Sequence, residues 1–127
     1  MYPEDPNYSK FVYEYILEPD HSIRPARSKD ETMAQWKLWS SYGDGKFVKG
    51  HPKVVDKTRI GEMEVSTVFL GLNHNFTMQG PPILFETMVF GQPDDDEICE
   101  RYETWDEAQK GHDEIVARLK KELDDHA

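Results

Sequence analysis

The chain has 127 residues, 37% apolar and 12% aromatic, with a formal net charge of −10, which suits one folded domain with one core rather than a disordered segment. The charge sits late, since residues 92–127 carry 13 acidic against 5 basic side chains and residues 1–91 carry 12 against 10, a balance that disfavours direct binding of a phosphate backbone. One cysteine, Cys99, cannot close an internal disulfide, and no apolar run suggests a secretory segment or a membrane span, so a cytoplasmic protein is expected.

Residues 1–10, with two prolines and mixed polar groups, read as a flexible tail, leaving 11–127 as the domain. Phe11, Tyr13, Tyr15 and Leu17 alternate and predict a strand with one large-ring face. Pro19 to Ser22 breaks it. Ser28 and Glu31 have the spacing of a capping box, in which the serine takes an amide of the first turn and the glutamate reaches back. Met33, Trp36 and Ser40, with Trp39 beside them, then predict a helix over 30–41, ended by Gly43-Asp44-Gly45. A short edge strand is expected at Lys46 to Gly50, and another strand at Lys53 to Ile60, edge-like because of its lysines.

Met63 to Leu72 is apolar on both faces, and Ile83 to Gly91 is a second strong strand; together they predict a central antiparallel hairpin with a long loop, Asn73 to Pro81. After the turn at Gln92 to Glu97, a short strand is expected at Ile98 to Glu103. Thr104 and Glu107 form a second capping box. Trp105, Ala108, His112, Ile115, Val116, Leu119 and Leu123 recur at helical spacing over 105–124, with Arg118, Lys120 and Lys121 suited to the negative helix end. The expected fold class is α+β: a mostly antiparallel sheet of about five strands with two helices on one face.

The strings VSTVFLGLNHNF (65–76) and PPILFETMVFG (81–91) resemble blocks of a family of small proteins from tailed phages and prophages. Tyr102, Thr104, His112 and the tandem Trp36 and Trp39 fit the same pattern, over most of residues 30–115. The resemblance implies a phage gene product and carries no biochemical activity with it. The chain departs at Asn73, where an aspartate is usual, so no role needing a carboxylate there carries over.

Four clusters are candidates for function. Glu86 stands in an apolar strand and needs a partner if buried; His112, on the apolar face of the last helix, can satisfy it, as can Arg101 or backbone. With His74 at the strand-to-loop junction and Asn75 after it, Glu86 and His112 form a candidate ligand site, and two imidazoles and a carboxylate suit zinc or general base chemistry. Ser66, Thr67, Asn73, Asn75 and Thr87 line a polar pocket or, more simply, pair across strands. Phe76 and Met78 on the loop, and Asp94, Asp95, Asp96 and Glu97 after the hairpin, are a candidate interaction surface, the acidic run resembling phosphate to a basic groove. The run lacks the glycine and distant glutamate of a calcium loop, no nucleophile elbow surrounds Ser66, and the acids before Cys99 oppose a thiolate.

The expectation is an accessory protein without a cofactor or resident metal, acting by contact with a host or phage protein and able to form a homodimer. The alternatives are a small-ligand-binding or metal-assisted hydrolytic domain centred on Glu86, His74 and His112, and a minor virion component.

Overall fold

The computed structural model describes residues 14–41, 50–75, 80–92 and 98–125. The elements in chain order are β1 (Tyr15–Leu17), β2 (Ile23–Pro25), α1 (Lys29–Ser40), β3 (Val54–Ile60), β4 (Met63–Phe69), β5 (Phe85–Phe90), β6 (Cys99–Tyr102) and α2 (Trp105–Asp125). The expected tail at 1–10, the ring positions Phe11 and Tyr13, most of the strand expected at 46–50, the loop residues Phe76 and Met78, and the acids Asp94 to Glu97 lie outside the described residues.

The frame is a four-stranded antiparallel sheet in the order β3-β4-β5-β6. β1 and β2 form a separate antiparallel pair. The architecture is the expected α+β one, but the described residues hold six strands, divided four and two. β2 follows the breaker Pro19 to Ser22, in residues where no element was expected. It is three residues long and ends on a proline, so it offers no period to detect.

Register fixes which side chains share a face. Val65, Thr67 and Phe69 of β4 stand opposite Val89, Thr87 and Phe85 of β5, and all six are buried. Alternation sends Glu64, Ser66 and Val68, with Glu86, Met88 and Phe90, to the other side. β3 reaches β4 through the two-residue turn Gly61-Glu62, with Gly61 at φ 60°. β5 leaves through Gly91 at φ 81°, where a Cβ would meet the Glu62 carbonyl oxygen at 2.5 Å; the backbones of the two turns pass too close for any side chain there.

α2 lies on the inner face. Its Ile115 and Leu119 join Ile60, Val65 and Val89 in one cluster. Its Ala108 joins Trp39 of α1, Phe69, Leu84 and Phe85 in another. Because Trp39 and Ala108 meet the same phenylalanines, both helices sit on one face of the sheet, as expected. The rings interlock edge to face, with centroids 5.9 Å apart for Trp39 and Phe69 and 6.2 Å for Phe85 and Trp105.

Both capping boxes form, one residue wider than the simple pattern. Ser28 accepts the Glu31 amide at 3.3 Å, but the Glu31 carboxylate takes the amide of Arg27. Thr104 accepts the Glu107 amide at 3.1 Å, and the Glu107 carboxylate takes the amide of Glu103. α2 continues to Asp125, so its last turn contains no cation; the lysines expected to suit the helix end fall short of it. No helix among the described residues is long and apolar enough to cross a membrane.

Candidate interaction groove

The structure does not gather Glu86, His74 and His112 into one site. Glu86 is on the outer face of β5, directly opposite Arg101 of β6. The Arg101 Nε donates to Glu86 Oε2 at 2.9 Å, with 14% of the glutamate side chain exposed and 46% of the arginine. The carboxylate is therefore neutralised by Arg101, one of the partners the sequence allowed. His112 is not the partner: neighbouring Thr87 faces α2, so Glu86 must face away from it. Glu86 and His112 stand on opposite sides of the sheet and cannot ligate one ion. Among the described residues no group of three or more His, Cys, Asp or Glu side chains is placed to hold a metal.

His112 serves the core. Its Nδ1 lies 2.8 Å from Thr67 Oγ1 and its Nε2 2.9 Å from Thr58 Oγ1. Thr67 Oγ1 is 2.5 Å from Thr87 Oγ1, directly across the strand pair. Asp56 Oδ2 is 3.8 Å from His112 Nε2 and accepts from Gln109. The series carboxylate, imidazole, hydroxyl has the members of a nucleophilic triad. Yet His112, Thr67 and Thr87 have no exposed surface, so no substrate reaches them, and the network satisfies buried polar groups.

The loop residues have structural bonds. Asn73 Oδ1 accepts the amides of Asn75 at 2.8 Å and Ile83 at 3.0 Å. An aspartate there would accept the same two N–H groups. Asn75 Nδ2 donates to the Pro81 carbonyl at 2.8 Å, and the His74 amide to that of Ile83, also at 2.8 Å. Asn73 and Asn75 thus pin the mouth of the loop rather than lining a pocket. At Cys99 desolvation, then the Glu86 carboxylate, pushes the thiol pKa up, which keeps it protonated.

The feature that sequence reasoning missed is a groove between α1 and β1. Its cavity, about 520 Å³, is lined on the strand side by Ile16, Leu17 and Pro19 and on the helix side by Ala34, Leu38 and Trp39, with Glu18, His21, Glu31, Gln35 and Pro52 completing it. Glu31, Ala34, Gln35 and Leu38 reach it together because they stand at i, i+3, i+4 and i+7 of one helix. α1 also exposes large apolar side chains: Met33 is 58% accessible, Trp36 48% and Leu38 54%. Only Thr32 and Trp39 of this helix are buried. The period of Met33 and Trp36 read from the sequence is correct for a helix, but that face meets solvent, so amphipathicity misplaced the core side.

Fixed contacts hold the groove open. Arg24 of β2 makes a paired contact to both Glu31 oxygens at 2.6 Å and also binds Glu18. The guanidinium, ahead of the Arg27 amide, holds the Glu31 carboxyl down at about 2. The Gln35 amide ties α1 to β1. The Lys53 ammonium, whose pKa burial lowers, lies 5.8 Å from the Trp36 ring centre and 5.6 Å from that of Trp39. At the far end His21 stacks on Trp105 at 3.6 Å, with φ 71° at the hairpin tip. Comparison with family models, with curated proteins and with solved structures returns no match for this chain.

Proposed function

We propose that the chain is a non-enzymatic protein-interaction module of phage origin, working in the host cytoplasm on a host or phage protein, and that α1 and its groove are the contact surface. The observation that carries this reading is the groove beside α1, with Leu38 54% exposed at its wall, while Met33 and Trp36 stand half open on another side of the same twelve-residue helix. An apolar cleft beside a short helix with large side chains open to water is an unfavourable way to make a free surface and a usual way to make an interface. The resemblance of residues 65–76 and 81–91 to phage proteins supports the origin. The acidic balance supports a protein partner over a nucleic acid.

The hydrolytic reading centred on Glu86, His74 and His112 has no geometric support, because Glu86 and His112 are separated by the sheet. The test is affinity capture from host and infected-cell lysates with the wild-type chain and with Leu38→Asp and Ala34→Asp, both exposed in the groove wall, read by quantitative mass spectrometry. A partner retained by wild type and lost from both variants, at unchanged melting temperature, is expected. Equal capture by all three proteins would refute the assignment of this surface.

A further inference from the structure

We infer that the free edge of β6 takes an added strand: an extended segment of a protein partner, lying between β6 and α2, with a lysine or arginine at its middle position facing Glu100 and Glu114. This surface is separate from the α1 groove and does not depend on that reading. The first support is the backbone. β6 stands at the edge of the four-stranded sheet. The Ile98 and Tyr102 carbonyls turn toward β5, where they accept the Val89 amide at 3.3 Å and the Leu84 amide at 3.1 Å. By alternation, the N–H and C=O groups of Cys99 and Arg101 turn the other way. Among the described residues nothing bonds to them there, and both residues are exposed. At the opposite edge, β3, the Lys57 amide is already taken by Asp56 Oδ1 at 2.8 Å.

The second support is the cleft beside that edge. A cavity of about 400 Å³ is lined by Glu100 and Tyr102 of β6 and by Gly111, Glu114, Ile115 and Arg118 of α2. Strand addition uses these parts: main-chain bonds along an open edge hold the segment, and alternate side chains enter the cleft. Register sorts the faces. Glu100 stands opposite Thr87 and so faces α2, while Cys99 and Arg101 stand opposite Met88 and Glu86 on the outer face. Added residues that bond to Cys99 and Arg101 therefore show their side chains on the outer face. The residue between them turns its side chain into the cleft, directly across from Glu100.

The third support is charge. Glu100 and Glu114 are exposed, and among the described residues neither has a cationic partner. The Arg118 guanidinium in the lining is turned to Glu122, at 3.9 Å. Both free carboxylates bear on one point: the Tyr102 phenol pKa is raised by burial first, and then by Glu100 and Glu114. The side chain that complements this end is a cation, and the −10 charge of the chain steers a cationic segment toward it. Two residues to either side, the same face of the added strand meets Ile98 and Tyr102, which suit apolar side chains.

The experiment titrates three capped heptapeptides, Ser-Val-Ser-X-Ser-Val-Ser with lysine, norleucine or glutamate at X, into the full-length ¹⁵N-labelled chain. Saturable amide shifts at Cys99, Glu100, Arg101 and Gly111 are expected, with the lysine peptide about tenfold tighter than the glutamate peptide and the gap narrowed in Glu100→Gln and in Glu114→Gln. N-methylation of the two serines beside X, whose N–H groups point at β6, should abolish binding. N-methylation of X, whose N–H points to solvent, should leave it unchanged. Leu38→Asp should bind as wild type does, which separates this edge from the α1 surface; binding lost in that variant would overturn the assignment to β6. Equal binding of the lysine and norleucine peptides would overturn the cationic residue, and equal effects of the two N-methylations would overturn strand addition. Absence of shifts with every peptide would overturn the inference as a whole and leave the α1 reading standing. Shifts at the same amides on raising protein concentration alone would assign the edge to a second copy of the chain and also overturn it.

Discussion

Replacing Gly111 by alanine should destabilise the protein, although the same change in an ordinary helix interior stabilises it by about 1 kcal/mol. An ideal Cβ at Gly111 would lie 2.2 Å from Tyr102 Cε1 and 2.4 Å from its hydroxyl oxygen. Ordinary contact begins near 3.4 Å, so the ring must retreat by about 1.2 Å, 3.4 less 2.2. It has little room, since Tyr102 stands opposite Phe85 and packs against the Trp39, Phe69 and Phe85 cluster. Overpacking of this kind costs about 1–3 kcal/mol. Against the propensity gain the net loss is on the order of 1 kcal/mol, which lowers the melting temperature of a chain this size by roughly 3–5 °C. The assay is thermal and urea denaturation of the four proteins in a cycle with Tyr102→Ala. With the ring removed, Gly111→Ala should change sign and stabilise. A higher melting temperature for Gly111→Ala in the wild-type background, or the same loss in both backgrounds, would refute the steric account.

Asn73→Ala should cost about 1–2 kcal/mol by urea titration, because two backbone amides lose their acceptor, while Asn73→Asp should match wild type within about 0.5 kcal/mol. Thr67→Val removes hydrogen-bond partners from both His112 and Thr87 at nearly constant volume and should cost about 1–3 kcal/mol; a neutral result would mean that the network is dispensable. For Glu86 and Arg101, a double-alanine cycle should give a coupling of about 0–1 kcal/mol that fades in high salt, because the arginine is nearly half exposed. Glu31 has its carboxyl lowered from 4.5 to about 2, so its stabilisation is full above pH 4.5 and is lost as pH falls toward 2. After screening at its 24% exposure this amounts to about 1–2 kcal/mol. Denaturation at pH 6, 4 and 2.5 should show the decline, and Glu31→Gln should flatten it.

The strong periods were legible. The central hairpin, the C-terminal helix and both cap positions follow from alternation, helical spacing and the serine or threonine three residues before glutamate. The cross-strand threonine pair follows from the register of that hairpin. What sequence could not give was the orientation of features lacking a period of their own. The alternation of β5 already implied that Glu86 and Thr87 face opposite ways, but which of them faces α2 depends on the packing of Phe85 and Val89. The inner side of α1 turned on Trp39, while Met33 and Trp36 had the more obvious spacing. The groove needed β2, whose three residues leave no pattern, to bring Arg24 between Glu18 and Glu31.

The threonine–histidine network also acts as an alignment key for the hairpin. If β4 slid by one residue along β5, Thr67 would turn outward, Ser66 would turn toward α2, and the imidazole would lose its short hydroxyl contact while still enclosed by hydrocarbon. Greasy strands alone discriminate poorly between neighbouring alignments, because valine fits against valine in several of them. A polar trio that is content in one alignment and stranded in every other makes wrong pairings unstable as they form. Much of the accuracy of assembly in this molecule therefore resides in two hydroxyls and one ring that never meet solvent.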